Sequence, residues 1–245
     1  MPVMQNVFDV GASFELQAVI FDCDGVLVDS EPLHYRALQE VLKPLGLGHD
    51  YARYLEHYIG FDDRDAFREA FREAGRDLDG RTLAELVDAK DGALRKIVAD
   101  GVPTFPGVIE LVRELHSHNV LLGVASGALR HEVSAFVASL GLQDCFSILV
   151  AADDVERSKP DPQTYIKALD EVRVLGGHAV LDARNCVAVE DTPAGIQSAR
   201  TAGMYVVGIT NSFPRGSLED ADHIVGSLSE LDHAGLIRLV RTGRS

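Results

Sequence analysis

Cysteine is scarce in this 245-residue sequence, which contains Cys23, Cys145 and Cys186 and no Cys-x-x-Cys spacing. A disulfide framework generally uses an even number of cysteines, and a cysteine-based zinc site uses closely spaced pairs. The sequence therefore predicts neither kind of site, and we expect the cysteines to be reduced.

Long apolar runs are missing as well. No segment approaches the ~20 consecutive apolar residues that a membrane-spanning helix needs. Asp9 and Glu15 interrupt the N-terminal segment, which lacks the basic and apolar parts of a secretory leader. We therefore expect no membrane partner and a cytoplasmic location.

Positive charge is in short supply, because 23 Lys and Arg residues stand against 38 Asp and Glu residues and leave a formal net charge of -15. A chain of this charge does not attract a polyphosphate backbone at long range, so we expect no nucleic-acid partner. An anionic substrate would need local cations at its site.

Short apolar segments of strand length recur along the chain, with helical patterns in most of the intervals between them. Some of these helical patterns stop at a glycine, such as Gly141 or Gly203, as helices commonly do. Strands that alternate with helices predict an α/β fold with a parallel sheet. The predicted strands are residues 18–21, 120–125, 148–151, 187–189 and 205–209.

The interval between the first two predicted strands is far longer than one crossover helix requires. It contains apolar residues at helical spacing, and Thr82 and Glu85 match a capping box that would open one of its helices. We therefore predict an all-helical insert at residues 31–102 within a core formed by 1–30 and 103–245.

Two acidic residues, Asp22 and Asp24, follow the first predicted strand. Two residues apart on an extended strand, they would point the same way, and their repulsion would need a divalent cation nearby. A strand that ends in an acidic turn at Gly25 explains the same residues without any chemistry.

Polar residues also follow the other predicted strands, at the edge where ligands of such sheets collect. Ser126 and Gly127 follow the second strand, Lys159 comes shortly after the third, and Glu190 and Asp191 end the fourth. Each has an ordinary structural explanation by itself, such as a turn, a surface lysine or a helix cap. The residues that follow Asp191 would make Thr192 the N-cap and Pro193 the first helical residue, which leaves Asp191 available for another role.

Taken together, these segments resemble the haloacid dehalogenase superfamily, in particular its phosphatase and β-phosphoglucomutase-like branch. The resemblance implies a Rossmann-like core with a helical cap inserted after the first motif. It also implies Mg²⁺-dependent phosphoryl transfer through an aspartyl phosphate. The matching segments, in family order, are DCDGVLVDSE at 22–31, SG at 126–127, SKPDP at 158–162 and VEDTPAG at 189–195.

The resemblance also implies a role for each matching residue. Asp22 would be the nucleophile, and Asp24 would protonate the leaving oxygen and then activate water. Ser126, Gly127 and Lys159 would bind the phosphoryl group.

The implied metal ligands are Asp191, together with Glu190, beside Asp22 and the backbone carbonyl of Asp24. Every one of these candidate ligands is an oxygen, and hard oxygen ligands favour Mg²⁺ over zinc. Positive charge from Mg²⁺ and Lys159 would also let an ionised Asp22 approach a phosphate dianion.

Three alternatives differ from this interpretation in chemistry or class. Dehalogenases of the superfamily do not carry an acid two positions after the nucleophile, whereas this chain has Asp24. A phospho-acceptor signalling module would not need so large an insert. A non-catalytic binding protein on the same fold would show degenerate motifs, and none of the four motifs is visibly damaged.

A phosphomutase is the nearer alternative. His34 matches a histidine that mutase-like members use, although many phosphatases share it, and Arg64 is the candidate cap residue for substrate binding. β-Phosphoglucomutases typically have a lysine before the cap glycine, where this chain has Ile59 before Gly60. We therefore expect a Mg²⁺-dependent phosphatase acting on a small phosphorylated metabolite, such as a sugar or polyol phosphate.

Overall fold

A parallel six-stranded sheet forms the centre of the computed structural model, which describes residues 16–59, 61–177 and 181–243. The strand order is β3-β2-β1-β4-β5-β6, and every neighbouring pair is parallel. The α/β prediction is therefore confirmed. The strands are β1 (Ala18–Phe21), β2 (Leu121–Ala125), β3 (Ile148–Val150), β4 (Cys186–Glu190), β5 (Tyr205–Ile209) and β6 (His223–Val225).

The strand predictions differ from the structure mainly at the edge of the sheet. The predicted strands recur with bounds shifted by at most one residue, whereas β6 was not predicted. This strand has three residues and is only partly buried, so it carries little of the apolar signal by which the others are recognised. Residues 1–15, which include Asp9 and Glu15, and Gly60 of the cap lie outside the described residues.

Helices fill the intervals between the strands. Four of them, α1 (Glu31–Leu42), α2 (Tyr51–His57), α3 (Asp63–Glu73) and α4 (Gly80–Ala99), lie between β1 and α5 (Val108–Ser117). The part of the insert that the structure describes contains no strand. The remaining helices are α6 (Arg130–Ser139), α7 (Gln163–Leu175), α8 (Pro193–Thr201) and α9 (His233–Thr242).

The core lies on both faces of the sheet because successive residues of a strand point to opposite sides. Val19 and Phe21 of β1 belong to one buried cluster, and Ala18 and Ile20 belong to the other. The insert has an apolar cluster of its own, which includes Tyr58, the residue after α2, and Phe67 of α3. This separate cluster supports our division into a core (1–30 and 103–245) and a cap (31–102), which we keep as a proposal.

The two connections between core and cap run side by side. The amide of Asp29 donates to the carbonyl oxygen of Pro103 at 3.1 Å, and the Thr104 hydroxyl donates to the carbonyl oxygen of Leu27 at 2.7 Å. The C-terminal part of α4 also packs on the core, since Leu94 and nearby apolar residues of this helix belong to the larger core cluster.

One helix begins elsewhere than predicted. The capping box at Thr82 and Glu85 was wrong, because α4 starts at Gly80 and its N-cap is Asp79. The Asp79 carboxylate accepts from the amides of Arg81 and Thr82, which satisfies two otherwise unpaired N–H groups of the first turn. Glu85 instead pairs with Arg81 one turn away.

Two further structural features concern the cysteines and the helices. Cys23, Cys145 and Cys186 are free thiols. Among the described helices, none combines the length and the apolar character needed to cross a membrane.

Candidate active site

The loops after β1, β2 and β4 meet at one edge of the sheet. Phe21 lies in register with Val124 of β2 and Val189 of β4, so the three strands end at the same level. The amide of Asp22 continues the β1–β4 pairing with a 2.9 Å hydrogen bond to the Val189 carbonyl oxygen. The strand register therefore gathers the polar residues that follow these strands.

The chain turns sharply after Asp22 instead of continuing as a strand. Gly25 has a φ of 76°, a conformation that glycine adopts without steric cost. A Cβ at Gly25 would lie 1.9 Å from Oδ2 of Asp191, so the close approach of the two loops also requires glycine here. The turn brings the β1 loop against the end of β4.

Asp22 is buried beside a lysine. Its Oδ1 accepts from the Cys23 amide at 2.7 Å and lies 3.0 Å from Nζ of Lys159. No residue in the described part of the chain donates a hydrogen bond to its other oxygen, Oδ2. Burial raises the pKa of Asp22, and the Lys159 ammonium acts in the opposite direction.

Lys159 joins the loop after β3 to the ends of β2 and β4. Nζ donates to the Ala125 carbonyl oxygen at 2.9 Å and to Oε1 of Glu190 at 2.6 Å. Burial opposes its charge, but the carboxylates of Asp22 and Glu190 outweigh this effect and raise the pKa of Lys159. Tyr165, which no sequence motif indicated, donates its hydroxyl to the same Oε1 at 2.7 Å.

Asp191 offers an unused oxygen to the site. Its Oδ2 accepts from the Ser212 hydroxyl, whereas its buried Oδ1 has no hydrogen-bond partner among the described residues. Burial and the charge of Asp22 raise the pKa of Asp191 to about 8. The same causes raise the pKa of Glu190 to about 7, against the opposing charge of Lys159.

The acidic residues of the site form a buried cluster that could hold a metal ion. Asp22, Glu190 and Asp191 each offer a carboxylate oxygen, and these oxygens lie within 4.8 Å of one another. One neighbouring ammonium, that of Lys159, cannot balance three carboxylates. The unpartnered Oδ1 of Asp191 and the all-oxygen donor set fit a hard divalent cation.

The turn after β4 frees Asp191 for this cluster. Thr192 is the N-cap of α8 and accepts from the Gly195 amide at 3.1 Å, and Pro193 is the first helical residue, as predicted. A Cβ at Gly195 would lie 2.0 Å from the Glu190 carboxylate, so glycine is also needed for this packing.

Asp24 lies between two hydroxyl groups. Oδ1 accepts from the Ser30 hydroxyl, and Oδ2 lies 3.5 Å from the Ser126 hydroxyl. Burial raises the pKa of Asp24, although both hydrogen bonds and the charge of Lys159 act the other way. Gly127 is exposed beside Ser126, and apart from its two chain neighbours no described residue has an atom within 4 Å of where its Cβ would be.

The two predicted cap residues differ in their surroundings. His34 lies where the cap meets the core: Nζ of Lys90 is 2.9 Å from its Nδ1, and its ring packs edge-on against Phe136 of α6. Arg64 is exposed, with no hydrogen-bond or ion-pair partner among the described residues. Substrate binding by His34 or Arg64 stays a prediction.

Lys90 is a second residue that sequence analysis missed. It is 3% exposed, and it occupies a position on the apolar face of α4 between Leu83 and Leu94. A lysine within an apolar stripe at helical spacing is a signal that could have revealed it.

Comparison with known proteins adds independent evidence about the family. A family model described as haloacid dehalogenase-like hydrolase matches residues 19–209. The chain is 34% identical over 211 residues to Protein CbbY of Rhodobacter capsulatus, covering 82% of this chain and 88% of that protein. It is 33% identical over 194 residues to fructose-1-phosphate phosphatase YqaB of Escherichia coli strain K12, covering 78% and 95%.

A solved structure resembles the whole fold. The crystal structure of a CbbY mutant from Rhodobacter sphaeroides, in complex with xylulose-(1,5)bisphosphate, superposes with a TM-score of 0.76. The two chains are 27% identical, and the match covers 90% of this chain and 98% of the other.

Proposed function

Because the chain belongs to the haloacid dehalogenase-like hydrolase family, we propose that it is a Mg²⁺-dependent phosphatase of small phosphorylated metabolites. The observation that carries the proposal is the arrangement around Asp22. Its carboxylate is buried at the end of the central strand, is paired with Lys159 at 3.0 Å, and keeps Oδ2 free of hydrogen bonds from described residues. An oxygen held in this way suits attack on phosphorus.

The first half of the reaction forms an aspartyl phosphate. The Asp22 carboxylate attacks phosphorus, the bond from phosphorus to the leaving oxygen breaks, and Asp24 gives its proton to that oxygen. Burial, which raises the pKa of Asp24, favours the protonated form that this step needs. Lys159 lies beside Asp22 and the Ser126 hydroxyl lies beside Asp24, and both can donate to phosphoryl oxygens.

The second half of the reaction restores the enzyme. The Asp24 carboxylate accepts a proton from water as the water oxygen attacks phosphorus. The bond between phosphorus and the Asp22 oxygen then breaks, which releases inorganic phosphate and regenerates the carboxylate. The hydroxyl of Ser30, which donates to Oδ1 of Asp24, keeps this carboxyl group in position through both steps.

Asp22, Glu190 and Asp191 would hold Mg²⁺, together with the backbone carbonyl of Asp24. When bound there, Mg²⁺ supplies positive charge that offsets the repulsion between the carboxylates and the phosphoryl oxygens. Tyr165 contributes by donating to Glu190, which holds that carboxylate at the end of β4.

We propose a sugar or polyol phosphate as the substrate. The name of the Escherichia coli relative supports a sugar monophosphate, whereas the Rhodobacter sphaeroides structure contains a sugar bisphosphate. The β-phosphoglucomutase type of reaction is the second candidate, because it uses the same aspartyl phosphate with a sugar hydroxyl as the acceptor.

A substrate panel tests the proposal directly. The purified protein should release inorganic phosphate from at least one sugar or polyol phosphate in the presence of Mg²⁺. The Asp22→Asn protein should serve as the blank for contaminating phosphatases. Failure of the wild-type protein to release phosphate from any member of a broad panel would contradict the proposal.

A further inference from the structure

Lys90 is a cation of the cap that is almost completely buried. It projects from α4 and is 3% exposed. An ammonium group in such surroundings is costly unless charged or polar partners surround it. Its partners therefore determine what charge this part of the cap presents.

Two partners contact the Lys90 ammonium directly, and the carboxyl groups of Glu31 and Glu132 interact with it from further away. Nζ donates to Oδ1 of Asp63, the first residue of α3, and lies 2.9 Å from Nδ1 of His34. Burial and the neighbouring Lys90 lower the pKa of His34 to about 3, so its ring is neutral and Nδ1 can accept. Asp63 is thus the carboxylate that pairs with the Lys90 ammonium by direct contact.

Contacts connect this group to the catalytic end of the sheet. The amide of His34 donates to the carbonyl oxygen of Ser30 at 3.0 Å, and the hydroxyl of Ser30 donates to Asp24. The His34 ring also packs on Phe136 of the core helix α6. The group therefore lies at the junction of cap and core, one helical turn from the residue that holds Asp24.

We propose that Asp63 determines substrate specificity by neutralising Lys90. The site would then accept monophosphates with an uncharged hydroxyl-bearing leaving group and reject sugar bisphosphates. This inference rests on the proposed phosphatase function. The Asp63 side chain is about one-third exposed, at 32%, so its carboxylate can still accept from a substrate hydroxyl. The Asp63 carboxylate would repel a second phosphate. The Lys90 ammonium, which is already paired with Asp63, would not attract it.

The Asp63→Asn protein tests the idea, with Asp65→Asn as the matched control. Both substitutions remove one negative charge from the first turn of α3, but Asp65 pairs with exposed Arg68 and not with Lys90. The measured quantity is the ratio of kcat/KM for a sugar bisphosphate to kcat/KM for the corresponding monophosphate. Fructose 1,6-bisphosphate and fructose 1-phosphate provide one such pair.

We expect the wild-type protein to favour the monophosphate. In the Asp63→Asn protein the ratio should rise by at least about tenfold, because the freed ammonium attracts the second phosphate. It should stay within about twofold of wild type in the Asp65→Asn protein. In the double variant Asp63→Asn with Lys90→Met, the gain should disappear, because the ammonium responsible for it is gone.

Three results would overturn the inference: a wild-type preference for the bisphosphate, equal ratios in the Asp63→Asn and Asp65→Asn proteins, or a gain that persists without Lys90. Asp63→Ser provides a second test if Asp63→Asn does not fold, and failure of both to fold would make the pair purely structural. Calorimetric binding of the same two compounds gives an equivalent ratio even if the chain hydrolyses neither. Absence of turnover would then contradict the proposed function alone.

Discussion

The ammonium nitrogen of Lys159 lies 3.0 Å from Oδ1 of Asp22, and both side chains are about nine-tenths buried, at 10% exposure. The pair joins the end of the central strand to the loop after β3, although the two residues are far apart in the chain. Glu190 and Asp191 add two further buried carboxylates beside it. The site therefore contains more acidic than basic groups.

Asp22→Asn should abolish turnover. The substitution keeps the size of the side chain and removes the attacking charge, so kcat should fall by at least about 10³-fold while the fold survives. The assay is phosphate release from the best substrate of the panel, with circular dichroism as the check on folding. Asp170→Asn, at an exposed ion pair with Arg173, is the matched control and should behave like wild type. Near-normal activity of a folded Asp22→Asn protein would refute the nucleophile assignment.

Asp24→Asn should impair the enzyme in a way that depends on the leaving group. General acid catalysis matters most when the leaving oxygen is strongly basic. The loss of kcat/KM should therefore be at least about tenfold larger for a sugar phosphate than for p-nitrophenyl phosphate. Equal losses on both substrates would argue that Asp24 does not protonate the leaving oxygen.

Removal of divalent cations should abolish activity, and Mg²⁺ should restore it. Asp191→Asn removes one candidate ligand, so the dissociation constant for Mg²⁺, measured by calorimetry in the absence of substrate, should rise by at least about tenfold. A purely structural Asp191 would instead lower the melting temperature and leave Mg²⁺ binding intact. Full activity after exhaustive chelation would contradict the metal requirement itself.

The stability of the metal-free protein should fall as pH rises. Burial raises the pKa of Glu190 to about 7 and that of Asp191 to about 8, so the folded state binds these protons more tightly than the unfolded state does. Their contribution to stability is complete below the pKa values of the unfolded chain, at about 4, and is lost as pH rises towards 8.

Thermal unfolding in the presence of chelator tests this pH dependence. Between pH 5 and pH 8 the free energy of unfolding should decrease by at least about 1 kcal/mol, or roughly 2–4 °C in Tm. Mg²⁺ should raise Tm more at pH 8 than at pH 5, because the cation binds the ionised carboxylates. In the Asp191→Asn protein the decrease should be smaller. A Tm that is independent of pH in both proteins would contradict the account.

The sheet, and the grouping of the polar residues that follow its strands, could be predicted from the sequence. The carboxyl ends of parallel strands meet at one edge, so Asp22, Ser126 and Glu190 could be placed together from strand positions alone. The turn at Thr192 and Pro193 was also readable, because N-cap chemistry is local. The chemical roles of these residues remain predictions for the experiments above.

The residues that sequence analysis missed depend on contacts between distant elements. Tyr165 reaches Glu190 from a helix 25 residues earlier, and Lys90 meets His34 across 56 residues. Ser212 similarly reaches Asp191 from the loop after β5. None of these hydroxyl or ammonium groups belongs to a local motif, so their contacts arise only when distant elements pack together.

The acceptor of the phosphoryl group distinguishes the proposed phosphatase from a phosphomutase, and ³¹P NMR of the reaction reports it directly. The protein should be incubated with Mg²⁺ and a sugar monophosphate, including β-glucose 1-phosphate, without a bisphosphate activator. We predict that the substrate signal is replaced, mole for mole, by inorganic phosphate. Conversion of β-glucose 1-phosphate to glucose 6-phosphate with little inorganic phosphate, accelerated by a hexose bisphosphate, would contradict this account.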